Sequence, residues 1–319
     1  MTERVDEPKI VVIGGGTGLS VLLKGLKKLT SQLTAVVTVT DDGGSSGRLR
    51  SELGVLPPGD IRSCLVALAE TETLMDKVFQ HRFWQGESIK GHNLGNLLLV
   101  AMTEITGDFV SAIKEVSKVL KVRGQVIPVT LEPVNLTALM ADGIMVYGET
   151  SIRNYPDKIY RLGLTPETCL PVPAALEAIR EADAVIIGPG SLYTSIVPNL
   201  LVEGVVSAIA ESKAPVIFIS NIMTEQGETD NFTAEDHLRN LLYYVDQEVI
   251  DYVIVNTGYI DEIRLNRYKQ EKAIPVRPSS AEIRAMGYNV IEEDLVSNDD
   301  VAWHDSDKLA RVIFKIIDR

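Results

Sequence analysis

Cysteine is scarce in this chain: Cys64 and Cys169 stand alone among 319 residues, 105 positions apart and without a CxxC companion. That excludes a disulfide scaffold and a cysteine-based zinc site, and it suits a reducing compartment. Long apolar runs are missing as well. No stretch of 18 uncharged apolar residues occurs, so no membrane-spanning helix is expected. The opening residues, Met1-Thr2-Glu3-Arg4-Val5-Asp6-Glu7, are charged and lack the apolar centre of a signal peptide, which makes the cytoplasm the expected location. Basic charge is also short: 31 Lys and Arg against 44 Asp and Glu leave a formal net charge of −13. A nucleic-acid backbone needs a basic footprint, so the partner is expected to be a small molecule rather than nucleic acid or a membrane. Any phosphate on it must be gripped by local features.

What the chain does have is 45% hydrophobic residues. A chain this long can bury roughly 75% of its unfolded surface in one core. Short β-rich runs alternate with helical spacing, which predicts an α/β fold built on a doubly wound, mostly parallel sheet. Residues 9–13 (KIVVI) read as a central strand covered on both faces, residues 19–29 as a helix, and residues 33–40 (LTAVVTVT) as the next strand. Helices are expected at 60–70, with Asp60 as N-cap, and at 94–105. The winding resumes with strands at 184–187, 215–220 and 252–256, and with helices at 200–212, 233–245 and 305–317. Asp142-Gly143 signals a β-hairpin inside residues 136–152. The expectation is a single domain over 1–319, with a core of about 9–105 and 180–319 and a hairpin-containing insertion of about 106–179.

The strongest local signal is Gly14-Gly15-Gly16-Thr17-Gly18 between a strand and a helix. Glycines permit left-handed backbone and close approach, and a helix start offers unpaired N–H groups with partial positive charge, which together suit a phosphate. The run matches neither GxGxxG nor a Walker loop. The second strand leads into Asp41-Asp42-Gly43-Gly44-Ser45-Ser46-Gly47-Arg48. Asp41, 27 residues after Gly14, could bind a ribose hydroxyl as in dinucleotide-binding folds, or Asp41 and Asp42 together could hold Mg²⁺. Arg62, in the first turn of a helix, opposes the helix dipole, which an anion contact would explain. His92, Asn93 and Asn96 gather around another helix start, with His92 a candidate acid or base and Asn93 a candidate cap. A third loop, Gly188-Pro189-Gly190-Ser191-Leu192-Tyr193-Thr194-Ser195, and a fourth strand end, Asn221-Ile222-Met223-Thr224, repeat the pattern of small polar residues. Ligands of open α/β sheets bind beyond the carboxyl ends of strands where the winding reverses, so these loops are expected to share one crevice.

These motifs, in this order over nearly the whole chain, resemble the gluconeogenesis factor family of the CofD-like superfamily. The resemblance implies a Rossmann-like bacterial protein that supports growth and normal cell shape on gluconeogenic carbon sources. It also implies binding of UDP-sugars such as UDP-N-acetylglucosamine, with no established reaction, and downstream partners in cell-wall or carbon metabolism. A relative, the 2-phospholactate transferase of deazaflavin cofactor synthesis, carries a Ser-Pro-Asp-Leu-Asp segment where this chain reads Pro57-Pro58-Gly59-Asp60-Ile61-Arg62, a departure at the transferase's own site. Three readings follow in order: a nucleotide-sugar-binding regulator, a metal-dependent transferase using a nucleotide-activated donor with Asp42 and His92 as candidates, and an NAD-binding oxidoreductase. In the first, the site comprises the glycines and Thr17 of the first loop, Asp41, Asp42, Arg62, Asn93 and Asn96. Gly188, Gly190, Ser191, Tyr193, Thr194, Asn221 and Thr224 complete it.

Overall fold

A computed structural model describes residues 7–70, 74–245 and 249–318. Its ten strands are β1 (Ile10–Gly14), β2 (Leu33–Val37), β3 (Gln125–Pro128), β4 (Asn135–Met140), β5 (Met145–Tyr147), β6 (Ile159–Thr165), β7 (Ala184–Ile187), β8 (Val216–Ile219), β9 (Tyr252–Asn256) and β10 (Asn289–Glu293). Seven of them form one parallel sheet in the order β10-β9-β8-β7-β1-β2-β3. The chain winds outward from β1 through β2 to β3, then returns to the other side of β1 and winds through β7 to β10. The reversal therefore falls between β1 and β7, where diverging connections leave a crevice at the carboxyl ends.

Strands β1, β2, β7 and β8 are buried along their whole length. Alternate residues feed two cores. Ile10 and Val12 pack on one face with Leu19, Leu22, Leu23 and Leu26 of the helix Gly16–Leu26, while Val11 and Ile13 pack on the other with Ile196, Val197 and Ile209. Full coverage of both faces is why these strands read as near-continuous apolar runs.

The hairpin at Asp142-Gly143 is present. Gly143 has φ +87° and Asp142 Oδ1 accepts from the Ile144 N–H at 3.0 Å, joining β4 to β5 antiparallel. With β6 it makes a separate three-stranded sheet, β5-β4-β6. The segment 106–179 also contributes β3 to the main sheet, so the excursion proper lies between β3 and the helix Pro173–Arg180. β3 and β10 left little trace in the sequence because they are the two edges of the sheet: β3 starts at exposed Gln125 and ends in Pro128, and β10 is half-exposed and ends in Glu292-Glu293.

Two expected helices differ. The run at 200–212 breaks at Gly204, which takes φ +78° and separates Val197–Leu200 from Val205–Glu211. The helix expected at 60 begins at Gly59 behind Pro58, so Asp60 is not its cap. No single helix among the described residues is long and apolar enough to cross a membrane.

Candidate functional site

β1 ends at Gly14, and its chain turns at Gly15 straight into the helix Gly16–Leu26. Gly16 takes φ +65°, a left-handed conformation that L side chains rarely adopt. The N-cap residue offers this helix no side-chain bond and its first turn holds no acidic residue; from outside the helix the Asp60 carboxyl accepts from the Gly16 N–H at its positive end. A Cβ on Gly18 would stand 2.7 Å from the carbonyl oxygen of Pro189. The turn after β1 therefore presses backbone to backbone against the turn after β7. Residues 15–18 share one wall with residues 189–191 and Ser195.

The β7 turn is braced from β8. Gly190 N–H donates to Asn221 Oδ1 at 3.4 Å, Asn221 Nδ2 donates to Glu225 Oε1 at 3.2 Å, and the Ser191 hydroxyl donates to Glu225 Oε2 at 2.6 Å. Burial raises the Glu225 carboxyl pKa above its ordinary range, against the opposing pull of that hydroxyl and of Arg153.

Together these loops bound a cleft of about 1160 Å³. Gly15, Gly16, Thr17 and Gly18 line one side; Gly190, Ser191, Asn221 and Thr224 line another. Asp41 joins them from the end of β2, its Oδ1 accepting from the Gly43 N–H at 2.9 Å. The excursion lends Glu149, Thr150, Arg153 and Tyr155, while Tyr268, Lys272, Trp303 and His304 come from the segments after β9 and β10.

Two acids near this cradle hold their protons unusually well. Asp60, half-buried beside the loop, has its pKa raised to about 6 by burial and by Asp41, against a hydrogen bond from the Gly16 N–H and the charge of Arg62. Glu149 is raised to about 9 by burial, then by Asp41, Glu228, Asp60 and Asp42, so it is protonated at neutral pH.

The remaining candidates lie off the cleft wall. Gly14 is the buried end of β1 and its carbonyl accepts from Asn199 Nδ2; Gly188 follows β7 at φ +83°. The Asp42 carboxylate accepts from both the N–H and the hydroxyl of Thr150, at 2.9 and 2.6 Å. Among the described residues no group of three or more His, Cys, Asp or Glu side chains is placed to hold a metal ion. The Tyr193 hydroxyl donates to Asn240 Oδ1 and that of Thr194 to Glu228 Oε1.

Arg62, His92, Asn93 and Asn96 form a second, closed cluster around Ser45. The Ser45 hydroxyl accepts from the Asn93 N–H and from Asn96 Nδ2, both at 3.2 Å. With both lone pairs used, its proton goes to His92 Nδ1 at 3.2 Å, which places the ring hydrogen on Nε2. Asn96 Oδ1 accepts from Arg62 Nε at 2.9 Å, and Asn93 caps the helix Leu94–Thr106 through the Asn96 N–H. Burial lowers the pKa of His92, helped by Arg48.

Glu149, Arg153 and Glu225 escaped the sequence reading. They sit in segments with no local motif, and only the packing of the excursion and the outer loops over the sheet edge brings them to the cleft.

A parallel sheet with a glycine-turn cleft at its switch point defines the class: a Rossmann-like α/β protein. Residues 10–296 match the family model described as 2-phospho-L-lactate transferase CofD, and the chain belongs to this family, within its gluconeogenesis factor group. It is 50% identical to the gluconeogenesis factor of Bacillus subtilis over 314 residues, covering 98% of this chain and 99% of that one. Against the gluconeogenesis factor of Halalkalibacterium halodurans the identity is 49% over 312 residues, covering 98% and 97%. A crystal structure of a Bacillus halodurans protein, a member of the UPF0052 family, superposes with a TM-score of 0.93 at 48% identity, covering 96% of this chain and 99% of that one.

Proposed function

We propose that this protein is a cytoplasmic regulator that binds a nucleotide sugar of the UDP-N-acetylglucosamine kind and supports gluconeogenic growth and cell shape. The observation that carries the reading is the contact between the turns at 15–18 and 189–191 on one wall of the cleft, beside a helix start with no N-cap side-chain bond. Backbone N–H groups there would cradle a diphosphate, Asp41 would accept from a ribose or sugar hydroxyl, and the cleft has room for both rings. Tyr155, Tyr268 and Trp303 line the far side, where a base would stack. Occupancy would act by favouring one conformer over another, and only to the extent that the ligand binds the two differently. Partners in cell-wall or carbon metabolism would read that difference.

Titration calorimetry with UDP-N-acetylglucosamine tests the proposal. Saturable binding displaced by UDP is the expected result. No heat at millimolar ligand, together with no competition by UDP, overturns it. The family's transferase name supports a second reading, catalysis with a nucleotide-activated donor; turnover of the donor in the presence of an acceptor, rather than binding alone, separates the two.

A further inference from the structure

The described lining of the cleft carries the carboxyl groups of Asp41, Glu149, Glu225, Asp230 and Glu271 but only two basic side chains, Arg153 and Lys272. An anionic ligand therefore depends on very few cations. Arg153 ends the short helix Glu149–Arg153 in the excursion that carries the small sheet. Its backbone is pressed against the loop after β8: a Cβ on Gly227 would fall 2.0 Å from the Arg153 carbonyl oxygen. Its Nε lies 3.2 Å from Glu228 Oε1, and the two ends of this pair differ sharply. The Glu228 side chain is 0% exposed and that of Arg153 45%.

Glu228 is incompletely satisfied. Oε1 also accepts from the Thr194 hydroxyl at 3.1 Å, but Oε2 is buried with no hydrogen-bond partner. A buried carboxylate oxygen without a donor is costly when charged and suits a proton. The groups that bear on Glu228 are Glu225, Glu149, the Tyr193 phenol and backbone N–H, Thr194 and Arg153; of these only Arg153 is a cation. Burial and Glu225 push the Glu228 carboxyl up to about 8, against the charge of Arg153 first and then the hydrogen bonds from the Thr194 hydroxyl and the Tyr193 N–H.

We propose that Arg153 is the side chain that meets the ligand's phosphate, and that in doing so it leaves Glu228, which takes a proton from solvent. This rests on the phosphate-ligand reading of the cleft. An arginine fork matches phosphate oxygens, and turning the Nε–Nη edge of the half-exposed guanidinium onto a phosphate takes Nε off Glu228. The exchange replaces an Arg–carboxylate pair with an Arg–phosphate pair and a neutral glutamic acid.

The test is calorimetry with UDP at pH 6 and pH 8, each in two buffers of different ionisation enthalpy. The unaltered protein is expected to take up a fraction of a proton at pH 8 and less at pH 6, where Glu228 is already protonated. Glu228→Gln, nearly isosteric and able to keep the Thr194 bond, is expected to bind UDP and lose most of the pH 8 uptake. Arg153→Gln is expected to weaken UDP roughly tenfold to a hundredfold, the range for a lost charge-assisted contact, with Arg153→Lys in between. Binding of UDP to Arg153→Gln within twofold of the unaltered protein overturns the proposal, as does undiminished uptake in Glu228→Gln. Failure of the unaltered protein to bind UDP overturns the phosphate reading itself, a different outcome.

Discussion

The cleft wall and the Ser45 cluster are made of the same kinds of residue, yet they end in opposite states. At the cleft, glycine turns from β1 and β7 meet, and a helix starts with no N-cap side-chain bond, only Asp60 reaching its Gly16 N–H. Around Ser45, the hydroxyl, the amides of Asn93 and Asn96, the His92 ring and the Arg62 guanidinium satisfy one another, and Ser45, His92, Asn93 and Asn96 are buried. Small polar residues near a helix start thus mark either a ligand cradle or a self-contained hydrogen-bond network. What separates them is whether their donors face each other or an open space.

The largest effect should come from closing the cradle. In Gly18→Val the new side chain has to displace the Pro189 carbonyl, which a Cβ alone would approach to 2.7 Å. Overpacking of this sort costs about 1–3 kcal/mol, and the shifted turn should abolish measurable binding of UDP-N-acetylglucosamine in calorimetry. Ser45→Ala is expected to do the reverse. It strips the Asn93 N–H and Asn96 Nδ2 of their acceptor and should cost about 1–3 kcal/mol in urea unfolding, with ligand affinity within about twofold. If Ser45→Ala loses binding as severely as Gly18→Val, the contrast between the two regions is wrong.

The smallest effect concerns pH. Glu149 has a folded-state pKa near 9 against an ordinary 4.5, so the folded protein binds more protons than the unfolded chain between those values. Stability therefore falls as pH rises through that window and the penalty is complete only above about 9. Asp60 acts in the same sense between about 4 and 6. Glu149→Gln should flatten the decline in melting temperature between pH 7 and pH 9.5 by a few degrees and leave the pH 5 value nearly unchanged. An identical pH profile in the variant would show that Glu149 is not held in its protonated form.

Much of this was legible from the chain alone. Strands such as residues 9–13 and 184–187 announce themselves because a central parallel strand is buried on both sides, and Asp142-Gly143 announces a hairpin because the turn needs a left-handed residue. The glycine run at 14–18 marks a place where backbone must come close to something. These are local demands, met by residue type at a given spacing. Only the tertiary structure decided that the something includes the Pro189 carbonyl, that Asp60 faces the Gly16 N–H instead of capping its own helix, and that His92 and Arg62 are occupied by Ser45 and Asn96. It alone brought Glu149 and Arg153 of the excursion to the rim, because which donors and charges meet depends on contacts between distant segments, 51 positions apart for Asn96 and Ser45 and 185 for Asn199 and Gly14, and no local pattern encodes such pairings.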